Sequence, residues 1–197
     1  MKTTTRVSIM IFIILILGAS GYLCTISMQK KMAAIEEITG ELEAVSSLSL
    51  SLHEAVSYLN NYMIKGDQEE RERFKDASEE VKRLFEKVTE IEGRTNIDVS
   101  LENARLLYAN IDNLAGELLK KEAPLGNKDA IMLILEIQQT ADWITQFYIK
   151  VHELKDRGKL EKVVKEAESA GRWAGWIQII GTAIALFVGF MLLKNKQ

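Results

Sequence analysis

Aromatic and amide side chains recur at helical spacing in two stretches of this sequence and are its best candidates for binding a small ligand. Aromatic rings pack against apolar or planar groups, and amides donate and accept hydrogen bonds. Two neighbouring helices would bring the stretches together as one ligand layer. The predicted layer consists of Tyr58, Asn61, Tyr62, Gln139, Trp143, Gln146 and Phe147. The alternative is an ordinary helical core, where aromatic residues at four-residue spacing are common.

The two histidines, His53 and His152, are the candidates for a metal or haem site. Two long stretches of the sequence, residues 7–28 and 173–193, carry no charge. At about 1.5 Å per helical residue, His53 lies about 36 Å from the first stretch and His152 about 31 Å from the second, at similar levels. They could therefore meet across a helix pair. Each follows an apolar residue, Leu52 or Val151, and this position is more typical of a boundary side chain than of a ligand. We therefore predict no metal site and no cofactor.

Motifs for catalysis are absent from the sequence, including phosphate-binding glycine loops, His-Glu-x-x-His and any pairing of cysteine with histidine. The single cysteine, Cys24, lies in a long uncharged stretch and excludes an intramolecular disulfide. A formal net charge of -3 gives no basic excess for nucleic acid. We predict a protein that has no catalytic residues, is not an enzyme and does not bind nucleic acid.

Two uncharged stretches flank the region that holds these candidates. Residues 7–28 and 173–193 contain 22 and 21 residues without a charge. Each stretch is long enough to cross a hydrocarbon core of about 30 Å as a helix. The sequence therefore predicts transmembrane helix 1 over 7–28 and transmembrane helix 2 over 173–193.

The charges predict the orientation of these spans. All 28 acidic residues and 21 of the 25 basic ones lie in residues 29–172, a net charge of -7, whereas the tails 1–6 and 194–197 carry only basic side chains. Basic tails favour the cytoplasm. We predict a multi-pass protein of the inner (cytoplasmic) membrane with both tails inside and residues 29–172 in the periplasm or outside. The alternative for the N-terminus is a signal peptide cleaved near Gly21.

Apolar residues recur every three or four positions in the predicted extracytoplasmic segment and indicate four helices. The first stripe runs through 28–63 in heptad steps, and Gly66 ends that helix. Asp67 then caps a second helix that reaches Glu92. Asn96 or Asp98 is expected to cap the third helix.

The fourth helix is expected to begin at Asn127, after the loop that contains the only proline, Pro124. It continues into the second uncharged stretch. Its predicted apolar stripe consists of Ile134, Ile137, Ala141, Ile144, Tyr148, Val151 and Leu154. The predicted fold class is therefore all-α, a membrane-anchored up-down-up-down four-helix bundle with two transmembrane helices. The first and fourth predicted helices are longer than the other two, so near the membrane no other helix of the chain covers their apolar stripes. We therefore expect a homodimer, in which a second copy covers these stripes.

Two short segments resemble the sensor region of bacterial methyl-accepting chemotaxis receptors. Asn61-Tyr62-Met63-Ile64-Lys65-Gly66-Asp67 is similar to the junction between their first and second helices, and Leu125-Gly126-Asn127-Lys128-Asp129-Ala130 to the loop before their fourth. The resemblance implies a receptor-type sensor that responds to a small molecule or a periplasmic partner by displacing a helix. Those receptors continue into a HAMP relay and a signalling domain, whereas residues 194–197 alone follow the second span here. We therefore expect either a receptor fragment or a stand-alone protein that pairs with a full-length receptor.

Two other functions fit the same sequence. A membrane-anchored structural or scaffold protein would need the bundle and the spans but no ligand. A haem- or metal-binding redox sensor would use His53 and His152. The sensor remains the expected function, with an unidentified ligand, because the resemblance extends over most of the chain.

Overall fold

The computed structural model of the chain describes residues 3–92, 99–121 and 124–194. Within these residues all regular structure is helical, as predicted. The elements in chain order are α1 (Thr3–Lys65), α2 (Gln68–Glu92), α3 (Val99–Leu118), α4 (Lys128–Trp143), a π-helical turn (Ile144–Ile149) and α5 (Lys150–Lys194). The last three follow one another without a break, and we refer to them together as the α4–π–α5 helix.

The junction between α1 and α2 forms where the sequence predicts it. Gly66 has φ of 69°, a left-handed conformation that favours glycine, and its N–H donates to the Tyr62 carbonyl oxygen at 2.7 Å. The Asp67 side chain accepts a hydrogen bond of 3.0 Å from the N–H of Glu70. These two residues end one helix and begin the next, so both predictions are confirmed.

The start of α4 is also confirmed. Asn127 Oδ1 accepts hydrogen bonds from the backbone N–H groups of Asp129 and Ala130, at 2.9 and 3.3 Å. These bonds satisfy amides that lack partners within the helix. The predicted caps of α3, Asn96 and Asp98, lie outside the described residues.

The chain divides into two compact units, residues 38–158 and residues 1–37 with 159–197. In the unit of residues 38–158, one hydrophobic core draws on α1, α2, α3, α4 and the π turn. Its fully buried side chains include Leu48, Leu59, Val81, Phe85, Tyr108, Ile111, Ile137 and Ile144. These residues recur at three- and four-residue spacing along each helix, so the periodicity of the sequence identified the core faces.

The predicted stripe of the fourth helix is correct as far as Tyr148 and wrong beyond it. Val151 and Leu154 are 53% and 71% exposed, whereas His152 and Asp156 are only 5% and 3% exposed. The π turn is the physical reason for the exposure of Val151 and the burial of Asp156. A π turn holds one residue more than the α-helical turn it replaces, so the residues after it present a face shifted by one position.

The unit of residues 1–37 and 159–197 contains the beginning of α1 and most of α5. Gly181 is buried here against Leu17, and a Cβ at Gly181 would lie 2.0 Å from Leu17 Cδ2. Lys31 Nζ and Glu166 Oε2 form an ion pair at 3.3 Å. The described residues include two helices long and apolar enough to cross a membrane, α1 and the α4–π–α5 helix.

Candidate functional site: a polar groove across the π turn

A groove of about 660 Å³ opens within the unit of residues 38–158, between α1 and the α4–π–α5 helix. We call it the polar groove. Its polar lining residues are Ser46, Ser49, His53, Asn60, Gln138, Asp142, Thr145, Lys150 and Glu153. Its apolar lining includes Leu52, Ala141 and Ile149, which are buried. An apolar floor with a polar rim is the usual construction of a small-molecule site.

A hydrogen bond joins the two walls of the polar groove at one end. Gln138 Nε2 donates a hydrogen bond of 2.8 Å to Asn60 Oδ1. This bond links α4 to α1 and fixes their separation there. Beyond it, the groove runs along the helices to Lys150 and Glu153.

The rim of the polar groove carries both signs of charge. Asp142 and Glu153 supply carboxylates, and Lys150 supplies an ammonium. Lys150 Nζ donates to Gln146 Oε1 at 3.0 Å, and Arg157 forms an ion pair with Glu153. The groove can therefore bind a small polar molecule through hydrogen bonds and charges of either sign.

The π turn forms part of the wall of this groove. Lys150 N–H donates to the Thr145 carbonyl oxygen, five residues back. Thr145 Oγ1 donates to the Ala141 carbonyl oxygen at 3.0 Å. Thr145 and Ile149 of the turn and Lys150, which follows it, all line the groove. The turn therefore sets the positions of three lining residues. π turns are rare and are frequently found at functional sites.

None of the seven residues of the predicted ligand layer lines the polar groove. Tyr62 is buried and donates from its hydroxyl to the carbonyl oxygens of Leu119 at 3.3 Å and Lys121 at 2.8 Å. Asn61 Nδ2 donates to Glu70 Oε2 at 3.4 Å. These two members of the layer therefore bind neighbouring parts of the protein.

The other members of the layer lie elsewhere on the helices. Trp143 and Phe147 are exposed and pack against each other, with ring centroids 5.1 Å apart. Gln139 and Gln146 are exposed as well, and Tyr58 is half-buried against the core. The structure thus brings Trp143 and Phe147 together on an outer face and directs Tyr62 inward.

The two histidines lie in different environments, one exposed and one buried. His53 is exposed and lines the polar groove. His152 is buried, its Nε2 lies 3.1 Å from Ser100 Oγ of α3, and its ring centroid lies 4.6 Å from that of Tyr148. Among the described residues, no group of three or more His, Cys, Asp or Glu side chains is arranged to hold a metal ion.

Most of the residues that line the polar groove were not predicted from the sequence. Several of them are direct neighbours, along the chain, of residues assigned to the predicted ligand layer. Asp142 precedes Trp143, and one residue along an α-helix turns the side chain by about 100°. The sequence contains no signal for the π turn, because the predicted stripe from Ile144 through Leu154 crosses it at regular three- and four-residue spacing.

A second groove, of about 390 Å³, lies between α2 and α3 and includes Phe85, Tyr108 and Ala109 in its lining. Beside it, the Tyr108 hydroxyl donates to Ser78 Oγ at 2.9 Å, and Ser78 donates to Asp112 Oδ1 at 2.8 Å. Burial raises the pKa of Tyr108. This network joins α2 to α3.

No family model, curated protein or solved structure matches this chain. The fold and the site define it as an all-helical protein with two long apolar helices and a ligand-sized polar groove.

Proposed function

We propose that the protein is a membrane-anchored, receptor-type sensor module. Residues 29–172 would form an up-down-up-down four-helix bundle outside the cytoplasmic membrane, with both tails inside. Support comes from the two apolar helices, from the concentration of acidic residues between the apolar stretches, and from the basic tails. A small polar ligand in the groove would be the signal.

The observation that carries this proposal is the identity of the groove walls. One wall is α1 and the other is the α4–π–α5 helix, and these are also the two helices long enough and apolar enough to cross a membrane. A ligand that changes the packing of these walls acts directly on the helices that enter the bilayer. Displacement of one packed helix against another is an established way to transmit a signal.

The proposed active form is a symmetric homodimer, with pairing to a full-length receptor as a further arrangement. A dimer would cover the apolar faces of α1 and α5 near the membrane. Cysteines introduced one at a time at Ile35 or Ala167 of a Cys24→Ser chain, in native membranes, test this arrangement. A disulfide-linked dimer is expected at one or both positions, and its absence at both would contradict the homodimer.

Topology is tested with reporters that are active only in the cytoplasm or only outside it. A periplasm-active phosphatase inserted after Gly126 should be active, and the same enzyme fused after Gln197 should be inactive. A fluorescent protein that matures only in the cytoplasm should give the opposite pattern. Phosphatase activity at both sites would contradict the proposed topology.

Coupling between the groove and the membrane helices is tested by filling the groove. A cytoplasmic signalling reporter is fused after Gln197 of the full chain, and Thr145→Trp is introduced to occupy the polar groove. We expect a change in reporter output of about fivefold or more. Ala109→Trp fills the α2–α3 groove and is the matched control, which should leave the output unchanged. Equal outputs from both variants and the unmodified chain would refute the sensor proposal.

A further inference from the structure

Several polar side chains along the polar groove already have partners within the protein. The bonded pairs are Gln138 with Asn60, Thr145 with the Ala141 carbonyl oxygen, Lys150 with Gln146, and Glu153 with Arg157. Asp142 and His53 also line the groove, and their side chains form no hydrogen bond or ion pair with another described residue. A carboxylate and an imidazole therefore remain available to a ligand.

The two walls of the polar groove run in opposite directions. Asn60 is the last lining residue of α1, Gln138 is the first of the α4–π–α5 helix, and their side chains are bonded at 2.8 Å. Asp142 lies four residues from this bond along one wall, and His53 lies seven residues from it along the other. At about 1.5 Å per residue these positions are about 6 Å and about 10 Å from the bond. Asp142 and His53 therefore lie within one helical turn of each other along the groove.

The charges are unevenly distributed along the polar groove. Near Asp142 the lining includes the amides of Asn60 and Gln138, which carry no charge. At the other end, Lys150 and Glu153 lie three residues apart on one wall. A negatively charged ligand group at Lys150 would also meet the Glu153 carboxylate, whereas a positively charged group at Asp142 meets no lysine or arginine at its end of the groove. The groove therefore favours a cation.

A protonated amine has the hydrogen-bonding groups that this end of the groove requires. An ammonium group has three donors and no acceptor, and a neutral imidazole accepts one hydrogen bond. One ammonium can therefore donate both to the Asp142 carboxylate and to the His53 ring. Hydrogen bonds between charged groups are about twice as strong as neutral ones. The net charge of -7 over residues 29–172 also raises the concentration of cations near the protein.

The floor of the polar groove suits a hydrocarbon group. Leu52 and Ala141 are buried lining residues that directly precede His53 and Asp142, so the apolar floor begins beside both polar groups. The buried Ile149 continues this floor further along the same wall. A short hydrocarbon body attached to the amine would cover these side chains and gain from their burial.

We infer that the polar groove binds a small organic amine, with its ammonium group on Asp142 and His53 and its hydrocarbon body on the apolar floor. The inference rests on the proposed function, because it names the class of ligand that the sensor would detect. Binding itself requires no signalling output and can be measured separately.

Isothermal titration calorimetry of the full chain in detergent tests the ligand class with three molecules that share one hydrocarbon body. They are 3-methylbutylamine, 4-methylpentanoate and leucine, which carry an amine, a carboxylate and both groups. The amine should bind, and the other two should bind at least about tenfold more weakly, because their carboxylates would approach Asp142. Titrations into detergent alone correct for uptake by the micelles.

Substitutions locate the amine in the groove. Asp142→Asn keeps the shape of the side chain and removes its charge, so it should weaken binding of 3-methylbutylamine by about tenfold or more. His53→Leu should weaken it by less, about threefold, because a hydrogen bond to an uncharged acceptor is lost. Glu136→Gln is the matched control, because Glu136 is exposed on α4 and is not among the residues that line the groove. Its affinity should equal that of the unmodified chain.

Three results would overturn the amine assignment. They are absence of binding by 3-methylbutylamine, binding of leucine or 4-methylpentanoate at least as tight as that of the amine, and equal affinity of Asp142→Asn and the unmodified chain. Equal melting temperatures of Asp142→Asn and the unmodified chain without ligand would show that the variant is folded.

The binding and the reporter experiments fail separately. Amine binding that depends on Asp142, together with an unchanged output from Thr145→Trp, would keep the amine site and refute the sensor. A changed output from Thr145→Trp without amine binding would support the sensor and refute the amine as its ligand.

Discussion

The hydroxyl of Tyr62 on α1 donates a hydrogen bond of 2.8 Å to the carbonyl oxygen of Lys121, which follows α3. It also lies 3.3 Å from the Leu119 carbonyl oxygen. Both carbonyl groups lie in the turn that follows the last residue of α3, Leu118, and Tyr62 supplies a donor for each of them. The phenol therefore attaches the end of α3 to α1.

Replacing Tyr62 with phenylalanine removes this donor and keeps the ring. We expect Tyr62→Phe to lower the free energy of unfolding by about 1 kcal/mol, because a buried hydrogen bond is lost. Thermal unfolding of the full chain in detergent, followed by circular dichroism, measures the change. Tyr58→Phe is the control, because Tyr58 is half-buried and forms no hydrogen bond through its hydroxyl among the described residues. Equal stability of Tyr62→Phe and the unmodified chain would show that this bond contributes nothing.

Local rules were sufficient to predict three of the helix boundaries, the end of α1 and the starts of α2 and α4. Gly66, Asp67 and Asn127 act through their own backbone or through amides two or three residues away. Such interactions depend on a few neighbouring residues, and the sequence shows these directly. The core-facing stripe of the fourth helix was also predictable as far as Tyr148.

The face presented by the fourth helix was not predictable by following one stripe. The π turn shifts the register by one residue, and this shift exposes Val151 and buries Asp156. The prediction of the ligand layer also required knowing which face of the fourth helix borders the groove. Trp143 and Asp142 are adjacent, and only the packing of the whole helix determines which of them lines the groove. Tertiary contacts, rather than residue types, decide such cases.

Two glycines should respond to alanine in opposite directions. Gly66 has φ of 69°, and a Cβ there costs about 1 to 2 kcal/mol. Gly116 is exposed in the last turn of α3, and nothing lies within 4 Å of the point that a Cβ would occupy. Gly116→Ala should therefore stabilise the protein by about 0.4 to 1 kcal/mol, because alanine leaves the unfolded chain fewer conformations. Thermal unfolding of both variants measures the difference. A stability loss in Gly116→Ala would indicate that its face is covered in the assembled protein.

The buried carboxylate of Glu70 predicts a dependence of stability on acid. A hydrogen bond from Lys65 lowers the pKa of Glu70 below its ordinary value of 4.5, against the opposing effect of burial. A carboxyl group with a lowered pKa in the folded state contributes stability above its ordinary pKa, and this contribution is lost as the pH falls through the folded-state pKa.

Melting temperatures measured between about pH 3 and pH 7 should therefore show a smaller decline on acidification for Glu70→Gln than for the unmodified chain. Glu70→Gln should also be the less stable of the two at neutral pH, because its ionic hydrogen bond to Lys65 is gone. Glu69→Gln, at an exposed position one residue earlier, should retain the decline. Parallel curves for Glu70→Gln and the unmodified chain would contradict the role of Glu70.

The contact between Gly181 and Leu17 predicts that α1 and α5 approach closely in the unit that contains both apolar stretches. A Cβ at Gly181 would lie 2.0 Å from Leu17 Cδ2 and 3.0 Å from Leu17 Cγ, so Gly181→Ala forces the leucine or the helices to move. We expect a loss of about 1 to 3 kcal/mol in stability in detergent. Gly189→Ala is the matched control because nothing lies within 4 Å of its Cβ position. Adding Leu17→Ala to Gly181→Ala removes the atoms of Leu17 that would clash with the new Cβ. The double variant should therefore regain part of the stability that Gly181→Ala loses. Failure of Leu17→Ala to restore any stability would show that the cost arises outside this contact.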